Sequence, residues 1–207
     1  ISFVGLFSVV SNYAIIKDIG LVDVNITGGN KVGGLIGSSS ASRISNSYST
    51  GSVKGVNYVG GLIGKYWANN NISNSYSTSN VSGTYEIGGL IGENGGASCS
   101  NSYSTGNVIG VSRVGGLIGY NSFTGTCTNS YSTGNLISNE RVGGLVGENV
   151  GNISNSYSTG NVSGNFYAGG LVGILTDSGA CTNSFWDTET SGQTTSVCGT
   201  GKTTTLM

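Results

Sequence analysis

The stretch Val32–Gly37 (VGGLIG), followed by Asn46–Val53 (NSYSTGSV), decides the fold, because both blocks recur along the chain. The Gly-Gly-Leu tripeptide begins at Gly33, Gly60, Gly88, Gly115, Gly143 and Gly169. The Asn-Ser-Tyr-Ser-Thr block begins at Asn46, Asn74, Asn101, Asn129 and Asn155, and returns once more as Asn183-Ser184-Phe185. Two independent blocks that share one nearly constant period indicate a tandem repeat with a unit of about 27 residues.

Each repeat unit contains two short extended segments separated by turns rich in Gly and Asn. The first segment is apolar and too short for a helix, and the second alternates with the period of two that is typical of a strand. A propeller blade needs roughly 40 to 45 residues, so a unit of this length fits one coil of a solenoid instead. The sequence therefore predicts an all-β fold, a β-solenoid (β-helix) of about seven coils.

The chain divides into three parts on the repeat pattern. Residues 1–31 read as a divergent first coil, in which Val4–Phe7 and Ile16–Gly28 stand in for the two blocks. Residues 32–190 hold six tandem coils, and residues 191–207 form a polar C-terminal segment or cap.

The repeat also predicts which side chains face inward. The leucines of the Gly-Gly-Leu tripeptide should form one inward column, and the two glycines should allow the coil to turn and neighbouring backbones to approach. The divergent coil has Ile19 and Leu21 where later coils have Ser47 and Ser49, so the serines should face inward. The residues between them should then face outward, as one column of Tyr48, Tyr76, Tyr103, Tyr131 and Tyr157 beside one of Thr50, Thr78, Thr105, Thr133 and Thr159.

Two interpretations of the outward Tyr and Thr columns remain open. Stacked identical side chains stabilise neighbouring rungs of a sheet. Exposed aromatic side chains are also common at binding surfaces, so the same columns are the candidate recognition face, for a glycan or for ice.

Composition excludes several classes of function. The chain has no His, only 8% charged residues and a net charge of −1. It therefore lacks a Ser-His-Asp triad, a His-based zinc site and the basic surface that nucleic acid binding needs. No apolar run is long enough to insert into a membrane, and no cofactor is expected.

The acidic residues do not predict a catalytic site. Polysaccharide-cleaving β-helix enzymes need clustered carboxylates in a cleft, and the nine acids here show no repeated or paired arrangement. Glu93 and Glu148 follow the Gly-Gly-Leu block two coils apart, about 10 Å by strand spacing, and we interpret both as solvated turn residues. We expect no enzymatic activity.

The four cysteines suggest disulfide bonds. Cys99, Cys127 and Cys181 all stand two residues before the block Asn, where other coils have Ile. Cys99 and Cys127 are one period apart and are predicted to pair, which leaves Cys198 as the partner of Cys181. Such pairing favours an oxidising compartment, although four buried free thiols are the alternative.

Five sequons mark candidate glycosylation sites, which matter only in an organism that glycosylates them. Their asparagines are Asn25, Asn71, Asn80, Asn152 and Asn161.

The unit V-G-G-L-I-G followed by I-S-N-S-Y-S-T-G-x-V-x-G resembles the GLUG motif over residues 32 to about 190. This resemblance implies a repeat region of a large bacterial-type cell-surface or adhesin-like protein. Such repeats also occur in the non-catalytic regions of IgA-specific metallopeptidases. The resemblance brings no ligand-binding residues with it.

We expect a non-catalytic, extracellular structural or adhesive module, located at the cell surface or secreted. Its partners would be itself, through end-to-end or lateral assembly into a fibre, or a surface glycan or protein. Open solenoid ends invite stacking, whereas end caps would argue against it. The alternative is a glycan-binding module that uses the outward Tyr/Thr ladder.

Overall fold

A computed structural model describes residues 2–67, 69–176 and 178–207. Ile1, which belongs to the divergent first coil, and Asp177, one of the nine acids, lie outside the described residues. The strands form three sheets, and every strand pair in the described part of the chain is parallel. Parallel pairing of successive repeats confirms the predicted β-solenoid.

Sheets 1 and 2 contain seven strands each. Sheet 1 consists of Phe7–Val10, Ile36–Ser39, Ile63–Trp67, Ile91–Gly95, Ile118–Asn121, Val146–Asn149 and Val172–Leu175. Sheet 2 consists of Ala14–Lys17, Ser42–Ser45, Asn71–Ser73, Ser98–Ser100, Thr126–Thr128, Asn152–Ser154 and Ala180–Thr182.

Sheet 3 contains sixteen strands, because several long strands bend and join two faces of the solenoid. It consists of Gly20–Thr27, Asn30–Gly33, Tyr48–Lys54, Asn57–Gly60, Tyr76–Ser77, Asn80–Ser82, Tyr85–Gly88, Tyr103–Ser104, Val108–Ile109, Ser112–Gly115, Tyr131–Ser132, Leu136–Gly143, Tyr157–Ser158, Val162–Gly169, Phe185–Asp187 and Thr200–Lys202. One 3-10 turn, Thr204–Leu206, follows.

The register of sheet 1 gives the number of residues in one coil. Phe7 pairs with Ile36, and the same position then steps to Ile63, Ile91, Ile118, Val146 and Val172. Six steps lead from position 7 to position 172, so one turn of this repeat takes about 27 to 28 residues. At a strand spacing of about 4.8 Å, the six turns extend for about 29 Å.

The core consists of two separate apolar clusters. The larger one contains the inward leucine column, which confirms the predicted direction of Leu35 and its equivalents, together with the inward Ile and Cys residues of sheet 2. The smaller one contains the valines that precede the glycines, such as Val32, and those that follow the Asn-Ser-Tyr-Ser-Thr block, such as Val53. A unit of this size cannot enclose either cluster alone, so the stack of coils supplies the core.

The two clusters are separated by a contact between the second serine of the Asn-Ser-Tyr-Ser-Thr block and the second glycine of the Gly-Gly-Leu tripeptide that follows it. We call this contact the waist. The hydroxyl of Ser49 donates to the carbonyl of Gly61 at 2.6 Å, and Ser158 donates to Gly170 at 2.7 Å. A Cβ atom on Gly34 or Gly144, the second glycine of the preceding tripeptide, would lie less than 3.0 Å from the accepting carbonyl oxygen. The second glycine of the tripeptide is therefore a steric requirement of the waist.

The block Asn-Ser-Tyr-Ser-Thr has a residue-by-residue explanation. Its Asn adopts a left-handed conformation in every coil (φ 50° at Asn46), which Asn tolerates better than most residues. The next serine is buried and accepts a hydrogen bond from the coil before it, as when Ser47 N donates to Ser75 Oγ at 3.2 Å. The second serine forms the waist. Both serines face inward, as predicted.

The two ends of the solenoid differ. Residues 191–200, the C-terminal strap, accept hydrogen bonds from the last coil: Val162 N donates to Ser191 O at 2.9 Å and Gly170 N to Thr195 O at 3.0 Å. Trp186 takes the waist position there and donates from Nε1 to Gln193 O at 3.0 Å. At the opposite end the Leu6 side chain, which continues the inward leucine column, is 57% exposed.

Candidate functional site

The tyrosine column forms one continuous stack. The ring centroids of Tyr48, Tyr76, Tyr103, Tyr131 and Tyr157 are separated by 4.8, 4.8, 4.9 and 5.0 Å, and successive rings are within 6° of parallel. The strand spacing imposes this distance, because each ring comes from the equivalent position of the next coil. Burial, followed by the neighbouring tyrosines, raises the pKa of Tyr76 above its usual range.

The two outermost ring faces of the tyrosine stack are also covered. Tyr48 lies over the backbone of Gly20, where any side chain would collide with its ring. At the other end Phe185 continues the column, and the Lys202 ammonium lies 4.0 Å from its ring centroid. The stack therefore presents ring edges and hydroxyl groups to solvent, while the ring faces contact one another. This arrangement favours the stabilising interpretation of the column.

The threonine column lies beside the tyrosines and also faces outward. Thr78, Thr105 and Thr133 are exposed, whereas Thr50 and Thr159 are half-buried at the two ends. The Thr50 hydroxyl accepts a hydrogen bond from Asp23 N at 2.9 Å. The structure thus places all ten residues of the candidate recognition face on one side of the solenoid.

A second outward surface, which the sequence analysis missed, flanks the Gly-Gly-Leu turn. On this surface, the residue two positions before each Gly-Gly-Leu tripeptide lies opposite the residue that follows it by seven positions. The two face each other because the turn folds the backbone tightly back. Arg141 and Glu148 show this, with Nη1 and Oε2 3.2 Å apart. We call the six residues along it that form ion pairs the charged seam: Lys65, Glu86, Glu93, Arg113, Arg141 and Glu148.

Three of the four ion pairs that define the charged seam join different coils. Lys65 pairs with Glu93 of the next coil, and Arg113 pairs with Glu86 of the previous coil. Arg113 also contacts Glu148 of the next coil, with Nε and Oε2 2.9 Å apart. Lys65 and the three glutamates are each only 8% exposed. The interpretation of Glu93 and Glu148 as solvated turn residues is therefore wrong, because the turn brings opposite charges over them.

Aromatic rings complete the surroundings of the charged seam. The Lys65 ammonium lies 4.5 Å from the ring centroid of Tyr58 and 4.0 Å from that of Trp67. The Arg113 guanidinium lies 4.8 Å from the ring centroid of Tyr120. These contacts cover the charges further and hold the long side chains in place.

One carboxyl group of the charged seam is poorly compensated. Burial, and then the charge of Glu93, raise the pKa of Glu86 even though Arg113 and Lys65 act in the opposite direction. The Oε2 atom of Glu86 is buried without a hydrogen-bond partner. Oε2 of Glu93 touches the Lys65 ammonium as an ion pair but without the geometry of a hydrogen bond.

The cysteines pair only in part as predicted. Cys181 and Cys198 form a disulfide bond, with Cα atoms 5.8 Å apart. Cys99 and Cys127 are adjacent in sheet 2 but are buried free thiols, so the predicted bond between them is wrong. Equivalent side chains on parallel strands point in the same direction and keep the strand spacing of about 4.8 Å, whereas a disulfide needs Cβ atoms roughly 3.5 to 4.5 Å apart. The hydrogen bond to Cys127, together with burial, raises the pKa of the Cys99 thiol.

A buried asparagine ladder also escaped the sequence analysis. Asn94 Nδ2 donates to Asn121 Oδ1 at 2.8 Å, and Asn121 Nδ2 donates to Asn149 Oδ1 at 2.7 Å. All three residues are fully buried and also hydrogen-bond the turn that follows sheet 1. The available signal was that the three asparagines recur with the period of the repeat.

The five sequon asparagines are exposed: Asn25, Asn71, Asn80, Asn152 and Asn161. Asn25 and Asn80 line a groove of about 410 Å³ on the outward side of sheet 3, together with Lys54 and Ile109. Their glycosylation stays a prediction.

Two features are absent from the part of the chain that the structure describes: a cluster of metal-binding side chains and a helix suited to crossing a membrane. No three acidic or cysteine side chains come together there as ligands. No helix in the same ranges has the length and apolar character that a bilayer crossing requires.

Comparison with protein families matches the GLUG motif at two places, residues 28–54 and 138–163. Each match spans one complete coil, and together they cover about a quarter of the chain. No curated protein matches the sequence. The chain therefore contains a GLUG-repeat region, and its coils are the structural form of that repeat.

Proposed function

We propose that this GLUG-repeat solenoid is a non-catalytic structural module of an extracellular surface protein, with adhesive contacts made by its outward columns. The observation that carries the proposal is that the coils share one repeated core, while their outer surface combines the regular Tyr and Thr columns with a column that changes from coil to coil. Inward positions repeat with the same residue types in successive coils, as in the leucine column. The outward column from Lys31 to Tyr167 contains Lys, Tyr, Glu, Arg, Arg and Tyr. Such a scaffold tolerates different surfaces on one core.

The disulfide bond supports the extracellular part of the proposal. Disulfides persist in oxidising compartments and are rare in the cytosol. The Cys181–Cys198 bond fixes the C-terminal strap to the last coil, so its loss would affect the part of the fold that covers the core.

The state of the carboxylates supports a non-catalytic role. A glycosidase-type site needs two carboxyl groups that reach a substrate. Glu93 and Glu148 are covered and paired with Lys65, Arg113 and Arg141. A polysaccharide would have to break these ion pairs before it could reach either group.

The tyrosine column gives limited support to the glycan-binding alternative. Sugars stack on the faces of aromatic rings, and the faces within the column are occupied by neighbouring rings. Thr78, Thr105 and Thr133 are the exposed polar groups beside them. We therefore assign the stabilising role to the tyrosines and the adhesive contacts to the threonine side.

End-to-end assembly has less support than lateral contact. The C-terminal strap occupies backbone groups of the last coil that a second molecule would need for stacking. Fibre growth through that end would require the strap to leave.

Beads coated with the full chain test the proposal on immobilised glycans, matrix proteins and a second layer of the chain. We expect adhesion that decreases at least severalfold in the triple variant Thr78→Ala, Thr105→Ala, Thr133→Ala, whose urea midpoint should remain unchanged. Adhesion equal to that of uncoated beads would refute the adhesive role. Release of reducing ends from a polysaccharide by the purified chain would refute the non-catalytic one.

A further inference from the structure

The charged seam contains one pair of like charges that face each other in the same coil. Tyr58 faces Lys65, Arg113 faces Tyr120 and Arg141 faces Glu148, always seven positions apart. The coil between those of Tyr58 and Arg113 has Glu86 and Glu93 at the two equivalent positions, so these two glutamates face each other. Two carboxylates at 8% exposure repel each other, because little water screens them.

The neighbours of Glu86 compensate its charge only in part. From the adjacent strands, Arg113 donates to Oε1, and Tyr58 contributes a ring without charge. From the opposite side of the seam come Lys65, Glu93 and Tyr120, and the Lys65 ammonium is already paired with Glu93. Arg113 also divides its hydrogen bonds between Glu86 and Glu148. The buried Oε2 atom of Glu86 is left without a donor.

We propose that Glu86 keeps its proton at pH values where an exposed glutamate has lost it, which makes the charged seam a pH-sensitive contact between neighbouring coils. A proton on Oε2 turns the unsatisfied acceptor into a donor and removes the repulsion from Glu93. Loss of that proton to solvent leaves two buried carboxylates that face each other, and the coils on either side of Glu86 are then held less tightly.

The direction of the pH effect follows from linkage. The folded chain binds more protons than the unfolded chain wherever the pKa of Glu86 is raised. The contribution of Glu86 to stability is therefore complete below the ordinary pKa of glutamate. It decreases as the pH rises through the pKa of the folded chain.

The first measurement is a pH titration of the glutamate side-chain carboxyl carbons of the wild-type chain by NMR, with the Glu86 signal assigned by through-bond correlation to its backbone. We expect this signal to titrate at a higher pH than the glutamates of the urea-denatured chain, because burial and the charge of Glu93 raise the pKa of Glu86. Titration of Glu86 together with the denatured reference would overturn the proposal. This readout needs only the wild-type fold, so it decides the question even if the variant fails to fold.

The second measurement is the urea midpoint between pH 5 and 8. Wild type should lose stability as the pH rises, while Glu86→Gln, which keeps the shape of the protonated carboxyl group, should show a flatter profile. Glu140→Gln removes a glutamate outside the charged seam and should retain the wild-type slope. Equal slopes for wild type and Glu86→Gln would contradict the proposal.

Discussion

The waist makes a sharp prediction at Gly116, the second glycine of its tripeptide. In Gly116→Ala the new Cβ atom would lie less than 3.0 Å from the carbonyl of Gly144 and from the hydroxyl of Ser132. Because the carbonyl belongs to the next coil, the collision cannot be relieved by rotating one side chain. The two coils must separate locally.

The expected loss of stability in Gly116→Ala follows from the contacts between coils that this separation would break. Gly116 N donates to Gly143 O at 3.3 Å, and Leu117 N donates to Leu145 O at 2.9 Å. Loss of these two hydrogen bonds costs about 1 kcal/mol each, and overpacking adds roughly 1 to 3 kcal/mol. We expect the free energy of unfolding to decrease by about 3 to 5 kcal/mol, measured by urea denaturation with circular dichroism detection.

Gly95→Ala is the matched control. A Cβ atom there would have its nearest contacts at 3.1 and 3.4 Å, and the glycine has no left-handed backbone angle. The substitution should change stability by less than about 1 kcal/mol, or stabilise slightly by restricting the unfolded chain. If Gly116→Ala is as stable as Gly95→Ala, the steric account of the waist is refuted.

Three further substitutions or treatments test other parts of the fold. Tyr103→Ala removes ring contacts at centroid distances of 4.8 and 4.9 Å, which are worth about 0.5 to 1.5 kcal/mol each. Its control, Thr105→Ala at an exposed position, should cost less than about 0.5 kcal/mol. Equal urea midpoints for the two variants would refute a stabilising role of the tyrosine stack. Reduction of the bond between Cys181 and Cys198, 17 residues apart, should cost about 3 kcal/mol and speed amide hydrogen exchange in the C-terminal strap. Unchanged exchange there would show that other contacts hold the strap. Burial opposes ionisation of Asp187, but hydrogen bonds from two backbone N–H groups and a threonine hydroxyl outweigh it and lower its pKa. Stability should therefore be lost as the pH falls through that pKa, and Asp187→Asn should reduce this acid sensitivity in urea titrations from pH 5 to 2.

The fold could be predicted because the same information is present in every coil. A period that both blocks share fixes the stacking, and alternation within the second block fixes the direction of Ser47, Tyr48 and Ser49. The divergent first coil helped, since Leu21 shows the apolar residue that the inward position accepts.

The charged seam could not be predicted in the same way. Its residues differ from coil to coil, so no repeat marks them, and Glu86 and Glu93 become neighbours only through the tightness of the glycine turn. The free thiols of Cys99 and Cys127 depend on the direction of two Cβ bonds. Spacing along the chain predicts adjacency but not that direction.

Parallel pairing of successive coils also decides how the module would respond to mechanical force. Its hydrogen bonds run along the solenoid axis, so tension on the chain would load one coil at a time rather than all of them together. Each detached coil would release about 27 to 28 residues, or roughly 90 to 100 Å of extended chain. Because a disulfide bond fixes the C-terminal strap to the coil of Cys181, that coil should resist extension longest, while the other coils detach stepwise. The module would then dissipate load gradually, as a series of short yielding steps.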